Sequence, residues 1–121
     1  MKLLFVYNAN SGKRNSFLDS LYKVLSPETY SCSLCKITYG IFKVKPEWQF
    51  FKETTALDLD FYHLDEFISK FGNTEKAPFK YPVILTEKER VLDVFISKEE
   101  LDHLKNETEL IELINSRITV L

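Results

Sequence analysis

Residues 81–100 read YPVILTEKERVLDVFISKEE, and this stretch carries the clearest structural signals in the chain. Apolar and β-branched residues at Val83–Leu85 and again at Val91–Ile96 predict two strands. The polar residues Glu87–Arg90 separate the two apolar runs and predict a turn. Because only a short turn joins them, the two strands are expected to pair as an antiparallel hairpin.

The sequence after the hairpin predicts the start of the last helix. Ser97 is expected to cap it, and Glu100 stands three residues further on, which completes a capping box. One long amphipathic helix or two short ones fit the remaining sequence equally well. The apolar face of this part is expected to comprise Leu101, Leu104, Leu110, Ile111 and Ile114.

The N-terminal part of the chain predicts a strand, a turn and a helix. Lys2–Tyr7 is apolar and rich in β-formers, which indicates a strand buried on both faces. The polar residues that follow, Asn8–Gly12, predict a turn, and the apolar periodicity of Asn15–Leu25 predicts a helix.

A second strand and a short helix are predicted ahead of the hairpin. The strand is Leu59–His63, and Asp65 is expected to cap the helix that Gly72 closes. Since a helix connects the first two strands, they are expected to lie parallel in one sheet. This order of elements predicts an α/β fold with a mixed sheet and helices on both faces. The side chains of the short helix expected to face inward are Phe67, Ile68 and Phe71.

The chain resembles the thioredoxin-like superfamily over about two thirds of its length. The resemblance is carried by Glu66–Gly72, by Tyr81-Pro82-Val83-Ile84-Leu85 with the hairpin and capped helix after it, and by Lys2–Leu25, which matches the first strand and helix. It implies a single thioredoxin-like domain over residues 1–121, with an inserted helical segment at about 28–56. It also implies that the Tyr81–Pro82 bond is cis and that Pro82 faces the active site.

The inserted segment contains both cysteines and most of the clustered aromatic residues. Short helices are predicted at Cys32–Thr38 and at Pro46–Thr54, where the proline suits a first helical turn. A strand between Cys35 and Phe42 is the competing interpretation, because apolar residues alternate there. The aromatic side chains are interpreted as a local core rather than as the lining of a groove; they are Tyr39, Phe42, Trp48, Phe50 and Phe51.

Cys32 and Cys35 form a Cys-x-x-Cys pair. In thioredoxins such a pair lies between the first active-site strand and its helix, where this chain has Asn8-Ala9-Asn10-Ser11. If Cys32 begins a helix, the unpaired N–H groups there lower the pKa of its thiol and favour the thiolate. Cys32 is then expected to attack, and a more shielded Cys35 to resolve the mixed disulfide. The expected partner is a protein thiol or a small-molecule thiol.

Two other interpretations of the cysteines stay open. Their spacing suits two thiolates on one metal, with His63 and a neighbouring carboxylate as further ligands. A histidine at the end of a strand is more often an ordinary surface or core residue, however, and no metal or other cofactor is expected. The cysteines also fit two small apolar core residues, because free cysteine is often buried.

The turn before the first helix offers a candidate anion site. Ser11, Gly12 and Lys13 lie between a strand and a helix, where backbone N–H groups bind anions. The phosphate-loop pattern fails, because Tyr7 replaces its first glycine and Arg14 replaces its Ser or Thr. A polar turn with a helix cap is the simpler interpretation.

The composition narrows the classes of function. The chain has 121 residues with 16 basic and 18 acidic side chains and a formal net charge of −2, which gives no electrostatic reason to expect nucleic acid or an anionic membrane as partner. Two cysteines are too few for a disulfide scaffold, and the apolar run at the N-terminus is too short for a signal peptide or a membrane span. These features predict a cytoplasmic protein.

Two functions from different classes follow from these features. The leading one is a thiol–disulfide oxidoreductase or redox sensor that uses Cys32 and Cys35, with Pro82 included in the site by resemblance. The alternative is a non-catalytic module on the same scaffold that binds a small anionic ligand or a metal.

Overall fold

The computed structural model describes residues 1–8, 32–38, 45–71 and 79–119. Within these residues the protein is a mixed α/β structure of four strands and five helices. The predicted helix Asn15–Leu25 lies outside the described residues. The strands are β1 (Lys2–Val6), β2 (Asp58–Tyr62), β3 (Val83–Lys88) and β4 (Val91–Ile96). The helices are α1 (Ser33–Thr38), α2 (Pro46–Thr54), α3 (Leu64–Phe71), α4 (Lys98–Asp102) and α5 (Glu107–Thr119).

The four strands form one mixed sheet in the order β2-β1-β3-β4. β1 runs parallel to β2 and antiparallel to β3, and β3 and β4 form an antiparallel hairpin. Both strand relationships predicted from the connections are therefore confirmed. The Tyr81–Pro82 peptide bond that precedes β3 is cis, as predicted.

The apolar core is divided by the sheet into two layers, and β1 contributes to both. Leu3 and Phe5 lie in the larger cluster, with side chains from α1, α2, α4 and α5. Leu4 and Val6 lie in the smaller cluster, where Phe67 of α3 packs against them. Alternate residues of a strand point to opposite faces, so the prediction of a β1 buried on both sides, with helices on both faces of the sheet, is confirmed.

The C-terminal part has the predicted cap and resolves the choice between one helix and two. The Ser97 hydroxyl accepts the N–H of Glu100, and the Glu100 carboxylate accepts the N–H of Ser97, which completes the capping box. α4 ends after one turn, and α5 begins after a break in which the Asn106 side chain accepts the N–H of Glu109.

Two expectations for α3 are wrong. The helix begins at Leu64, so Asp65 lies inside the first turn and is not the cap; the Glu66 carboxylate instead accepts the N–H of His63 at 2.8 Å. Ile68 is 51% exposed, whereas Phe67 is buried. A helix of eight residues has room for only a narrow apolar stripe.

Candidate thiol site

Cys32 and Cys35 are linked by a disulfide at the start of α1. Cys32 immediately precedes the helix, and its carbonyl accepts the N–H of Lys36 at 3.1 Å. The Cα atoms of the two cysteines are 5.3 Å apart, because a Cys-x-x-Cys pair spans a single helical turn. The helix predicted around the cysteines is therefore present, and residues 35–38 do not form the competing strand.

The Cys32 sulfur accepts two backbone hydrogen bonds. The N–H of Cys35 lies 3.2 Å from Cys32 Sγ, and the N–H of Asn8 lies 3.4 Å from the same atom. The first contact comes from the helix itself, whereas the second comes from the end of β1. Partial positive charge from two N–H groups is therefore directed at one sulfur of the pair.

The exposure of the two cysteines is the reverse of what the sequence predicts. Cys32 has no exposed surface and belongs to the large apolar cluster. Cys35 is half-buried and packs against the margin of that cluster. The expectation that Cys35 is the more shielded thiol is wrong, because Cys32 precedes the helix and its side chain is directed toward the sheet.

Pro82 lies at the same edge of the sheet as the disulfide. Val83 pairs with Val6 in the antiparallel register, so Pro82 stands at the level of Tyr7, next to Asn8. Pro82 is itself buried. The residues predicted for the site thus come from two parts of the chain to the carboxyl end of β1: Cys32 and Cys35 from the start of α1, and Pro82 from just before β3.

His63 lies near this edge because β2 runs parallel to β1. Its ring centroid is 5.9 Å from that of Tyr7. Its Nδ1 lies 3.1 Å from a carboxylate oxygen of Glu66, which orients the imidazole.

On the opposite face of the sheet, Tyr81 packs against Phe67 with 6.0 Å between ring centroids. Burial raises the pKa of the Tyr81 hydroxyl.

The aromatic residues of the inserted segment form part of the core beneath the site. The rings of Phe5 and Trp48 meet edge to face with centroids 5.6 Å apart, and Trp48 stacks on Phe51 at 5.4 Å. Phe50 differs, since it is 67% exposed. The interpretation of these residues as a local core is confirmed for Trp48 and Phe51. The other two of the set, Tyr39 and Phe42, lie outside the described residues.

Two other candidate sites were predicted, one for an anion and one for a metal. Ser11, Gly12 and Lys13 lie outside the described residues. Among the residues that the structure does describe, no group of three or more His, Cys, Asp or Glu side chains is placed to hold a metal ion. With the disulfide formed, neither sulfur is a thiolate that could bind one.

Asn8 is the contact residue that the sequence analysis missed. The sequence predicts a turn at this position, and the contact of Asn8 with Cys32 spans 24 residues of sequence. The only sequence signal for this contact is its position directly after an apolar strand, because backbone groups at strand ends often line sites in α/β folds.

Comparisons of the chain with protein-family models, with curated proteins and with solved structures found no match. The helices within the described part of the chain include none that combines the length and the apolar character needed to cross a bilayer. The site geometry is therefore the basis for assigning a function.

Proposed function

We propose that the protein is a small thiol–disulfide oxidoreductase or redox sensor that uses Cys32 and Cys35. The observation that carries the proposal is the pair of backbone N–H groups, from Asn8 and Cys35, directed at Cys32 Sγ. Hydrogen bonds to a sulfur stabilise its thiolate, which is the form that reacts with disulfides. This arrangement suits a pair that cycles between disulfide and dithiol.

The short loop that the disulfide closes also supports a chemical role. Cys32 and Cys35 are separated by three positions. A crosslink stabilises a fold mainly by restricting the unfolded chain, and this effect is smallest for short loops. A purely structural function would gain more from a disulfide between distant segments.

The scaffold is proposed to be thioredoxin-like. A central β1 that lies parallel to β2 and antiparallel to β3 supports this proposal. In thioredoxins the reactive pair directly follows the first strand, whereas here Cys32 stands far beyond Asn8 in sequence. The N–H of Asn8 nevertheless contacts Cys32 Sγ, so the pair lies at the end of the first strand in space. This contact favours assigning the site to Cys32, Cys35 and Pro82.

The proposed reaction is a two-electron exchange. A dithiol, or two monothiols, reduces the Cys32–Cys35 disulfide to two thiols and is itself oxidised to a disulfide. In the reverse direction the reduced pair passes its electrons to a protein or small-molecule disulfide. A cytoplasmic setting fits this proposal, because small thiols maintained there in reduced form supply the electrons.

The test is reduction under native conditions. We expect dithiothreitol to reduce the disulfide without denaturant and to release two thiols that react with a chromogenic thiol reagent, while far-ultraviolet circular dichroism stays unchanged. Turnover with a dithiol donor and a protein disulfide acceptor distinguishes an oxidoreductase from a sensor. Cys32→Ser and Cys35→Ser should abolish the cycle, and Ser33→Ala serves as the matched control. A disulfide that is reduced only after unfolding would contradict the proposal.

A further inference from the structure

We propose that an incoming thiol attacks Cys35 and expels Cys32 as the leaving thiolate, the opposite of the order that the sequence predicts. The inference rests on the proposed function and deepens it by assigning a separate role to each sulfur. It also assigns a positioning role to the backbone N–H of Asn8.

Access to the disulfide favours attack at Cys35. A thiolate displaces the leaving sulfur along the S–S axis, so it must approach from the side opposite that sulfur. Behind Cys32 lies the large apolar cluster, and Cys32 has no exposed surface. Cys35 is half-buried at the margin of the cluster, which leaves its sulfur as the one that a thiol in solution reaches.

The hydrogen bonds favour Cys32 as the leaving sulfur. Cys32 Sγ accepts N–H groups at 3.2 Å from Cys35 and 3.4 Å from Asn8. Across the described part of the chain, Cys35 Sγ accepts no such bond. A thiol whose thiolate is stabilised is the better leaving group, so access and leaving-group stability agree on the same direction.

The electron and proton balance of reduction is as follows. The thiolate RS⁻ forms a bond to Cys35 Sγ, the Cys32–Cys35 bond breaks, and its electron pair moves to Cys32 Sγ. A second thiolate then attacks the R sulfur of the mixed disulfide, which expels Cys35 as a thiolate and releases the oxidised reductant. Cys35 takes a proton from water, and Cys32 stays charged or is protonated according to pH.

The first test locates the mixed disulfide in the wild-type protein. Oxidised protein is treated briefly with 2-mercaptoethanol, quenched with acid, and its free thiol is then blocked. Trypsin releases both cysteines in one peptide, residues 24–36, and its fragment ions distinguish the two positions. We expect the mercaptoethanol adduct on Cys35 and the blocking group on Cys32. An adduct on Cys32, or an equal mixture, would overturn the assignment while leaving the redox function intact. Absence of any reduction would contradict the proposed function itself.

The second test measures how the N–H of Asn8 affects the Cys32 thiolate. In a Cys35→Ser background, Asn8→Pro removes this N–H, and Asn8→Ala is the control because it retains it. Loss of one hydrogen bond to a charged sulfur should raise the pKa of Cys32 by about one unit, or about tenfold in thiolate below the midpoint. The ultraviolet absorbance of the thiolate against pH gives this value. Equal pKa values in the two variants would rule out the positioning role.

Discussion

At the scale of single residues, Arg117 joins three elements of the C-terminal half. Its guanidinium donates to both carboxylate oxygens of Glu100 and, at 2.7 Å, to the carbonyl of Phe95. Glu100 also accepts the N–H of Ser97 in the capping box. The Arg117 hydrogen bond, followed by that of Ser97, lowers the pKa of Glu100 from 4.5 to about 2. The ion pair of Glu100 and Arg117 thus connects the start of α4 with α5 and, through Arg117, with the end of β4.

Substitution of Glu100 should make the free energy of unfolding depend less on pH in the acidic range. Because the pKa of Glu100 is depressed on folding, its contribution is complete above the unfolded value of 4.5 and is lost as the pH falls toward about 2. Glu100→Gln retains the capping acceptor and removes the charge. We expect it to lower the free energy of unfolding by about 1 kcal/mol at pH 7, since both side chains are partly exposed to solvent. The difference in free energy of unfolding between the variant and the wild type should disappear near pH 2.

Urea unfolding of both proteins between pH 2 and pH 7 measures this difference. Glu109→Gln is the control, because Glu109 is another carboxylate near a helix start, where it accepts the N–H of Lys105. Parallel pH profiles for Glu100→Gln and the wild type would contradict the expectation.

At the scale of elements, the β3–β4 hairpin contains two departures from regular geometry. Glu89 and Arg90 form its turn with φ of 52° and 69°, a left-handed conformation that is unfavourable for side chains with a Cβ. Further along the hairpin, Ile84 pairs with Ile96 and Leu85 with Val94, so that Phe95 is the extra residue of a β-bulge. The bulge places the neighbours Phe95 and Ile96 in the same apolar cluster.

Replacing the turn residues should stabilise the hairpin. The double substitution Glu89→Asn with Arg90→Gly introduces the pair that two-residue hairpin turns prefer. We expect the free energy of unfolding to rise by about 0.5 to 1 kcal/mol, because relief of left-handed strain exceeds the cost of glycine flexibility. Urea unfolding measures the change. Arg90→Ala keeps the unfavourable backbone and should change the free energy of unfolding little. Equal gains from both variants would attribute the effect to loss of the Arg90 charge and not to the backbone.

At the scale of the whole molecule, the disulfide should contribute modestly to stability. Reduction opens a loop closed over three positions, for which the loss of chain restriction corresponds to about 2 kcal/mol. We expect urea unfolding of the reduced protein to remain cooperative, with a free energy of unfolding lower by that amount. Cys32→Ser with Cys35→Ser should behave like the reduced protein. Loss of the cooperative transition on reduction would show that the crosslink maintains the fold.

Local signals account for the parts of the fold that were predicted from sequence. The capping box at Ser97, the proline at the start of α2 and the apolar runs of β3 and β4 each depend on a few neighbouring residues, and each is present. The relative burial of the cysteines was predicted wrongly, because it depends on how α1 packs against β1. The Asn8–Cys32 contact joins segments distant in sequence, and the position of Asn8 after an apolar strand does not indicate which distant residue it contacts.

The central position of β1 also determines when the structure can be completed. Leu4 pairs with Asp60 on one side and with Leu85 on the other, so most of the chain must be available before this strand has both neighbours. Pairing at such separations requires the closure of large loops, whose entropic cost slows folding relative to proteins with mostly local contacts.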